Sequence, residues 1–428
     1  MSEFNLTWRR YGLKDNPYFQ EPLNIDDSAL AASFVGRQKE RAELKKVIEM
    51  GSVRSLVVGE PGVGKTSLVN MIRKSASQNQ FFTPSNEIEI NRPISGNELI
   101  VLTLSAVYQE IKRREIVLED GNIMAELEAF YEVAKLSEFN EGVMNIPSLN
   151  RQKLVQLFKD VVDKLVNPRY NGVIIHYDNL DNIEDVSILN LLLDVRDFLF
   201  TKKTVFIFVG DKGLPSLINI RPRLSQIFLT PSLQVDPLSY EQVLELLEKR
   251  VNIMRSSVDK EVVCPHTEEV VKILFELHNG NLRSILNSLT IAVKELPKTN
   301  APVQITNDKL RQLLVQKVKE SYLSKLTKVE QDIVFKMLQH KDFITPTELS
   351  KQTGKSPQNI SSKYLKKFVD LGVVRQRKRE GRNVYYEVLP EINWWRLSKQ
   401  EKESQTKIKK LINPKIEQVQ MALSDYFE

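Results

Sequence analysis

The sequence feature that most constrains this chain is the glycine-rich stretch 59–66, which reads GEPGVGKT. It fits the pattern G-x-x-x-x-G-K-[ST], follows the apolar run Ser55–Val58 and precedes a helical pattern from Lys65 to about Lys74. Glycines let successive backbone N–H groups turn toward a polyphosphate, and the N-terminus of a helix favours an anion. The stretch therefore predicts a strand, a phosphate-binding loop and a helix, in that order.

Two residues at the end of this loop have predicted roles toward ATP or ADP. Lys65 is expected to reach the β- and γ-phosphates, and Thr66 is expected to place its hydroxyl on Mg²⁺. Such a loop also needs an acidic residue at the end of a neighbouring strand to hold the magnesium shell, and Asp178 follows the apolar run Val173–Tyr177. The predicted nucleotide-binding residues are Gly59, Glu60, Pro61, Gly62, Val63, Gly64, Lys65, Thr66 and Ser67.

Apolar runs recur along the first half of the chain. They lie at Leu99–Leu104, Val173–Tyr177 and Thr204–Val209, separated by segments long enough to be helices. This alternation predicts an α/β core, in which a mainly parallel sheet lies between helices. After Pro237 the pattern becomes helical, with amphipathic segments at Tyr240–Met254, Thr267–His278 and Leu282–Leu296.

These patterns predict five parts. We expect an N-terminal arm at 1–35 that packs on the domain after it, a nucleotide-binding core at 36–236, an all-α lid at 237–300, a winged-helix domain at 308–395 and a charged helix at 396–428.

Basic residues are concentrated in one short stretch. Residues 351–382 contain ten Lys or Arg and two acidic residues, a charge of +8, whereas the whole chain carries +6 and the rest therefore sums to −2. Helical patterns at Leu326–Leu338, Thr345–Gln352 and Ser356–Leu371, followed by an alternating hairpin, predict a winged helix that binds double-stranded DNA. A docking module for a protein is the alternative, since winged helices also serve that purpose.

Within the third of these helices, Ile360, Leu365, Phe368 and Val369 are expected to face the core. Polar residues near its N-terminal end suit base edges, and the lysines and the hairpin cations suit phosphates or a minor groove. The predicted DNA-binding residues are Gln358, Asn359, Ser361, Ser362, Lys363, Lys366, Lys367, Arg375, Arg377, Lys378, Arg379 and Arg382.

The composition excludes two other classes of protein. No uninterrupted apolar segment reaches the roughly 18 residues that a membrane span requires, so we expect no membrane partner. The single cysteine, Cys264, cannot form an internal disulfide. A cytoplasmic, nucleoid-associated protein is expected on these grounds.

With the phosphate loop and Asp178 in place, the chain resembles AAA+ ATPases, and most closely the origin-recognition and archaeal initiator proteins, with transposition-regulator ATPases as more distant relatives. The resemblance covers roughly 34–390. It implies that the segment around Val35 contacts the adenine, and that Arg283, in the sequence Gly280-Asn281-Leu282-Arg283, reaches the γ-phosphate as sensor 2. It also implies an arginine finger at Arg223, with Arg221 as the alternative, that completes a neighbouring subunit's site.

Two positions depart from the family pattern. The residue after Asp178 is usually a glutamate that orients the attacking water, and here it is Asn179. Either Asp181 takes that task or hydrolysis is slow, because an amide cannot accept a proton. At the sensor 1 position, where Asn or Thr is usual, the chain has Asp211, whose anion would interact poorly with a γ-phosphate. A weak or regulated ATPase with a long-lived ATP-bound state is expected.

The leading hypothesis is an ATP-regulated, initiator-like DNA-binding protein that assembles as a homo-oligomer on DNA and acts on a protein effector such as a helicase. The lead-in Gly12–Tyr18 resembles mobile-element or defence regulators instead, whose effector would be a transposase or nuclease. A transcription regulator with a nucleotide sensor is the third reading.

Overall fold

The computed structural model describes residues 6–23, 26, 31–118, 120–139, 150–166, 169–228, 230–257, 261–297, 301–340, 343–380 and 383–397. The chain divides into two units, one formed by Gln20–Ile253 and the other by Met1–Phe19 together with Met254–Glu428. Among the described residues, no helix combines the length and the apolar character that crossing a bilayer requires.

The first unit, Gln20–Ile253, is built on a parallel sheet. The spatial order of its strands is β2-β4-β5-β1-β6, and β3 pairs with the carboxyl end of β4. In this register Val58 lies beside Gly210, and Glu89 lies beside Asp178. The carboxyl ends of β1, β3, β4 and β5 therefore meet at one edge, where ligands bind in sheets of this kind. The described strands of this sheet are β1 (Arg54–Gly59), β2 (Phe81–Phe82), β3 (Ile88–Glu89), β4 (Gly172–Asp178), β5 (Thr204–Gly210) and β6 (Leu233–Val235).

Helices cover both faces of this sheet, as expected for parallel strands joined by crossovers. Helix α1 (Leu6–Arg9) belongs to the second unit. In chain order the described helices of the first unit are α2 (Gln38–Met50), α3 (Lys65–Gln78), α4 (Gly96–Arg113), α5 (Gly121–Phe139), α6 (Arg151–Val166), α7 (Asp185–Asp194), α8 (Arg196–Leu199), α9 (Leu214–Asn219), α10 (Pro222–Ser225) and α11 (Tyr240–Ile253). The α/β architecture with a parallel sheet agrees with the sequence prediction.

Strand β4 shows how the two faces differ. Val173, Ile175 and Tyr177 belong to the core cluster on one face, whereas Ile174 belongs to the cluster that also contains Leu68 of α3. Because successive side chains of a strand alternate between faces, the side chains of His176 and Asp178 lie on the α3 face. The polar end of β4 is thereby directed toward the helix that follows the glycine-rich loop.

The predicted strand at Leu99–Leu104 is wrong, since this run lies in the middle of α4. The helix begins after Ser95, whose Oγ accepts a hydrogen bond from the Glu98 backbone N–H at 3.2 Å. The run is apolar throughout because α4 packs against α5, α6 and β3. A continuous apolar run does not by itself distinguish a buried helix from a buried strand. The predicted strands at Ser55–Val58, Val173–Tyr177 and Thr204–Val209 correspond to β1, β4 and β5.

In the second unit, the lead-in residues pack on the helices after Met254. Leu13 forms a backbone bridge with Arg255, and the Tyr18 hydroxyl lies 2.6 Å from Nδ1 of His266. Tyr18 and Trp8 are also in edge-to-face contact. The expectation that the arm packs on the domain that follows it is therefore wrong for residues 6–19. Its aromatic side chains instead bury themselves against the later helices, which no local sequence pattern specifies.

The remaining elements of this unit form two helical groups and a hairpin. The first group consists of α12 (Glu268–Leu277), α13 (Leu282–Lys294) and α14 (Asn307–Ser321). The second group, which together with the hairpin we call the C-terminal group, begins with α15 (Lys328–Leu338) and α16 (Pro346–Thr353). Its third helix is made of α17 (Pro357–Asn359), a π-helical stretch Ile360–Leu365 and α18 (Lys366–Asp370). The antiparallel hairpin is formed by β7 (Val374–Glu380) and β8 (Asn383–Val388).

Local capping chemistry explains the boundaries of the C-terminal helices. Thr327 with Glu330 and Thr345 with Glu348 each form a capping box, in which both side chains bond to the backbone of the other residue. Gly354 ends α16 with a φ of 66°, a value that glycine adopts without steric cost. Ile344 adds a backbone bridge to Tyr386 at the side of the hairpin. The predicted helices and hairpin are thus present in the predicted order.

Candidate functional site

The glycine-rich loop leaves β1 through a tightly constrained turn. A Cβ atom at Gly59 would lie 2.4 Å from the Val235 carbonyl oxygen, so a side chain is excluded there by the neighbouring strand β6. Gly62 and Gly64 have φ values of 84° and 95°, which are unfavourable for other residues. The three glycines therefore give the loop the backbone shape that turns N–H groups inward ahead of α3.

Lys65 folds back over the loop. Its Nζ donates hydrogen bonds to the carbonyl oxygens of Gly59 at 2.9 Å and Glu60 at 3.2 Å, and the side chain is buried. The ammonium group is thus held over the concave side of the loop, where a polyphosphate would replace these carbonyl contacts with stronger, charge-assisted ones.

Thr66 and Asp178 meet at the edge of the sheet. The Thr66 hydroxyl donates to Oδ2 of Asp178 at 2.5 Å, and the Asn179 backbone N–H donates to Oδ1 at 2.8 Å. The structure therefore brings together the loop and the strand end that the sequence predicted as the two halves of one site.

The electrostatic state of Asp178 fits a cation site. Burial raises the pKa of this carboxyl group to about 6, and the nearby charge of Glu87 adds to the effect, while the bonds from Thr66 and Asn179 and the charge of Lys65 oppose it. The raised pKa means that the negative charge of Asp178 is poorly compensated. A hydroxyl and a carboxylate oxygen are the hard ligands that Mg²⁺ prefers, so the residues present fit that ion.

The segment before α2 is tied to the loop through Arg37. This arginine has a φ of 64°, and its guanidinium donates to the Val63 carbonyl oxygen at 3.0 Å and to Glu40 at 2.9 Å. Val35 is buried beside it. Arg37 was not among the predicted site residues, because its contact with Val63 depends on consecutive positive φ values at Gly36 and Arg37, which a residue pattern does not predict.

Three further residues that the sequence singled out in the nucleotide-binding core lie in different environments. Ser67 accepts a hydrogen bond from the Leu23 backbone N–H at 3.2 Å. Asp181 is half-buried in the 3₁₀ turn Leu180–Asn182 that follows β4. The Asp211 carboxylate accepts from the backbone N–H groups of Gly213 at 2.8 Å and Leu214 at 3.1 Å, so it caps α9. The anion at the sensor 1 position is thus engaged by a helix N-terminus.

The predicted arginines lie on exposed surfaces. Arg221 is the residue before α10 and Arg223 lies within it, and both side chains are exposed. Arg283 is exposed in the first turn of α13, where Asn281 caps the helix by accepting from Ser284 N–H at 3.1 Å. It belongs to the second unit, Met1–Phe19 with Met254–Glu428.

The third helix of the C-terminal group, 357–370, separates a buried face from a polar face. Ile360, Leu365 and Phe368 are buried, and so is Tyr364, which the pattern analysis did not include. Val369 is 40% exposed, so its predicted core position is wrong. The π-helical stretch Ile360–Leu365 explains the shift, because a wider turn changes which later residues face the core.

The predicted DNA-binding residues of this helix are not equivalent. Lys367 donates to both carboxylate oxygens of Glu330, at 2.8 and 2.9 Å, and is half-buried. Ser361 is also half-buried. The exposed members form the surface that we call the third-helix face, and they are Gln358, Asn359, Ser362, Lys363 and Lys366.

The hairpin cations are partly neutralised. Arg375 and Arg377 both approach the Glu387 carboxylate, at 2.8 and 3.2 Å, and Arg377 also stacks on Phe343. The backbone of Lys378 and Arg379 belongs to β7. Arg382, and the side chains of Lys378 and Arg379, lie outside the described residues.

Comparison with known proteins identifies the first unit. Residues 33–203 match the family described as the AAA ATPase domain. This chain therefore carries an AAA ATPase domain. The match includes the glycine-rich loop, Thr66 and Asp178, and the prediction of an AAA+ ATPase is confirmed. Among curated proteins, no sequence matches the chain.

Several solved structures resemble the chain at low identity. The Walker-type ATPase PABY2304 of Pyrococcus abyssi is 13% identical with a TM-score of 0.49, over 89% of this chain and 99% of that chain. The ORC2 protein of Aeropyrum pernix, in ADPNP–ADP complexes, is 12% identical with a TM-score of 0.46, over 92% of this chain and 99% of that chain. The ORC1 protein of the same organism, in complex with DNA, is 14% identical with a TM-score of 0.42, over 93% and 98%.

Proposed function

We propose that the AAA ATPase domain binds ATP with Mg²⁺ and that the bound nucleotide controls how the C-terminal group, a winged helix, engages double-stranded DNA. The observation that carries the proposal is the contact between Thr66 and Asp178 at 2.5 Å, directly after the glycine loop. Together with the Lys65 ammonium, whose charge acts on Asp178, this contact supports a site for phosphates and a cation at the edge of the sheet. The magnesium ion would supply charge compensation for the phosphates, and Thr66 and Asp178 would hold its coordination shell.

The DNA part of the proposal is supported by the third-helix face. Gln358 and Asn359 lie at the start of the helix, where side chains can reach base edges, and Lys363 and Lys366 follow on exposed positions. Lys367, Arg375 and Arg377 have acidic partners in the free protein, so they would have to exchange those partners for phosphates. The exposed lysines are accordingly the stronger phosphate contacts, and Lys378, Arg379 and Arg382 remain proposed DNA-binding residues.

An initiator-like role follows from the sequence resemblance together with the AAA ATPase domain. In this role ATP would promote homo-oligomer assembly on DNA. Arg223 would reach the neighbouring subunit's nucleotide, and Arg283 would reach the γ-phosphate in its own subunit. Hydrolysis would be slow, because Asn179 and the cap formed by Asp211 occupy positions where a water-orienting carboxylate and a polar sensor are usual. The slow step would keep the ATP-bound state on DNA for recruitment of a protein effector.

The nucleotide site is tested by replacing Lys65. In Lys65→Ala, ATP affinity is expected to fall roughly 10- to 100-fold, the size of a lost charge-assisted hydrogen bond. Titration calorimetry with ATP and Mg²⁺ measures this. Lys45→Ala is the matched control, because Lys45 is an exposed helix lysine of the same unit whose side chain is 69% accessible. Equal ATP affinity in Lys65→Ala and the wild type would place the nucleotide elsewhere.

A further inference from the structure

The residue after Asp178 has a backbone conformation that favours asparagine over glutamate. Asn179 has φ 66° and ψ 28°, in the left-handed region. Asparagine is among the few non-glycine residues that adopt this region readily, whereas longer side chains are strained there. The Asn179 side chain also donates to Oδ1 of Asn91 at 3.2 Å. Position 179 is therefore occupied by a structural amide, and a carboxylate for water activation has to come from another element.

Strand β3 brings a carboxylate to the same edge. Glu89 is the last residue of β3 and pairs in parallel register with Asp178. Ile88 packs in the core on the opposite face of the sheet from α3, so its neighbour Glu89 is on the α3 face, as Asp178 is. Neighbouring strands lie about 4.8 Å apart. The Glu89 carboxylate thus comes from the strand adjacent to the predicted magnesium ligand, and it is exposed to water.

One asparagine orders this carboxylate relative to the strand end. Nδ2 of Asn91 donates to Oε2 of Glu89 at 2.9 Å. Oδ1 of the same amide accepts from Nδ2 of Asn179 at 3.2 Å and from Nδ2 of Asn182 at 3.1 Å. The chain of bonds runs from Glu89 through Asn91 to the residue that follows Asp178. A side chain held in this way is pre-oriented, which is what a group that positions a reacting water requires.

The other nearby acids are engaged differently. Glu87, the residue before β3, accepts from Asn70 at 3.1 Å and lies 3.8 Å from the buried guanidinium of Arg73. Asp211 caps α9. Glu89 combines exposure, the correct face and an ordered position.

We infer that Glu89 is the catalytic carboxylate of ATP hydrolysis in this domain. The inference rests on the proposed function, because it requires ATP at the loop. The water oxygen attacks the γ-phosphorus and forms the new P–O bond, while the bond to the bridging oxygen breaks and its electron pair leaves with ADP. Glu89 orients the water and accepts its proton, which then passes to the departing phosphate or to solvent. Asn91 acts as a positioning residue by holding the Glu89 carboxylate.

Single-turnover hydrolysis of radiolabelled ATP in the full chain tests the assignment. Glu89→Gln keeps the shape and the bond to Asn91 but cannot accept a proton. We expect its hydrolysis rate to fall about 100-fold or more, with ATP affinity within about threefold of the wild type. Glu89→Asp should recover part of the rate. Asp181→Asn tests the competing carboxylate, and Glu49→Gln is the matched control, because Glu49 is an exposed helix carboxylate of the same unit that pairs with Lys45. The control should keep the rate within about threefold of the wild type.

The contradicting outcomes separate the two proposals. A Glu89→Gln rate equal to the wild-type rate, or a large loss in Asp181→Asn alone, would overturn the role of Glu89. A wild-type chain that binds ATP but does not hydrolyse it would also overturn that role and would leave nucleotide binding intact. A wild-type chain that does not bind ATP would refute the proposed function itself and Glu89 with it. Equal melting temperatures of the variants exclude a folding defect as the cause of a lost rate.

Discussion

At the scale of single residues, Asp178 connects the fold to the proposed chemistry. It is almost fully buried, its carboxylate accepts from the Thr66 hydroxyl and the Asn179 backbone N–H, and burial raises its pKa to about 6 from 3.8. Because its proton is bound more tightly in the folded state, folding stability falls as pH rises from about 4 to about 6 through this group. Fully ionised Asp178 therefore opposes folding, and a bound cation would remove that penalty.

A pH dependence of magnesium-supported ATP binding follows. Mg²⁺ competes with the proton for the Asp178 carboxylate, so the affinity is expected to be constant above about pH 6.5 and to fall by up to tenfold per pH unit below about pH 5.5. Asp178→Asn should bind MgATP more weakly at neutral pH and should lose this component of the pH dependence. The affinity is measured for the wild type and the variant across pH 5–8. Because protonation of ATP affects both proteins equally, the ratio of the two affinities reports the titration of Asp178 alone. A ratio that does not change with pH would argue against Asp178 as the cation ligand.

Some site residues could be predicted from sequence and others could not. Lys65 and Thr66 were predictable because they lie in a fixed pattern after a strand, and Asp178 was predictable because it ends a strand of the same sheet. Arg37 and Asn91 were not, because the contact of Arg37 with Val63 depends on a backbone turn and that of Asn91 with Asn179 depends on strand register. Register across a sheet is set by long-range pairing, which a local pattern does not encode.

At the scale of elements, the third helix shows the same division. Its existence and its start are set by Ser356, whose side chain caps it, followed by Pro357. Its later orientation depends on the π-helical stretch, which exposes Val369 and buries Tyr364. In the first unit, α4 was mistaken for a strand because it is buried on several sides. Hydrophobic periodicity identifies half-buried elements well and fully buried ones poorly.

The third-helix face gives a prediction for DNA binding. In Lys363→Ala/Lys366→Ala, the affinity for duplex is expected to fall, and the slope of log affinity against log salt should be smaller in magnitude by about two, one for each lost phosphate contact. Fluorescence anisotropy over a salt series measures both quantities.

The control for this experiment is Lys45→Ala/Lys249→Ala. It removes two exposed helix lysines of the first unit, each paired with an acid four residues away. It should leave the slope unchanged. Identical slopes for the wild type and Lys363→Ala/Lys366→Ala would move the DNA surface away from this helix.

At the scale of the whole molecule, two features of the chain bear on how nucleotide and DNA could be coupled. The AAA ATPase match, residues 33–203, lies within the first unit. The C-terminal group and Arg283 lie in the second unit. Within the second unit, Trp394 donates to the Ser288 hydroxyl of α13 at 2.8 Å, and Asn287 of the same helix donates to Glu391 at 3.0 Å. The helix that carries Arg283 is therefore bonded to the segment that follows the hairpin.

In the proposed function Arg283 would respond to the γ-phosphate, and these contacts connect its helix to the segment after the hairpin of the proposed DNA-binding group. Such coupling is expected to change DNA affinity by about 5- to 150-fold between nucleotide states, the usual range for linked sites. Because linkage is reciprocal, duplex DNA should raise the affinity for ATP by the same factor.

Duplex binding and particle mass, measured together by anisotropy and light scattering with ATP, with ADP and without nucleotide, test the central claim most directly. The account predicts tighter binding and a larger mass on DNA with ATP than in the other two states, and no difference between the states in Lys65→Ala. Equal DNA affinity and equal mass of the wild type in all three states would contradict it.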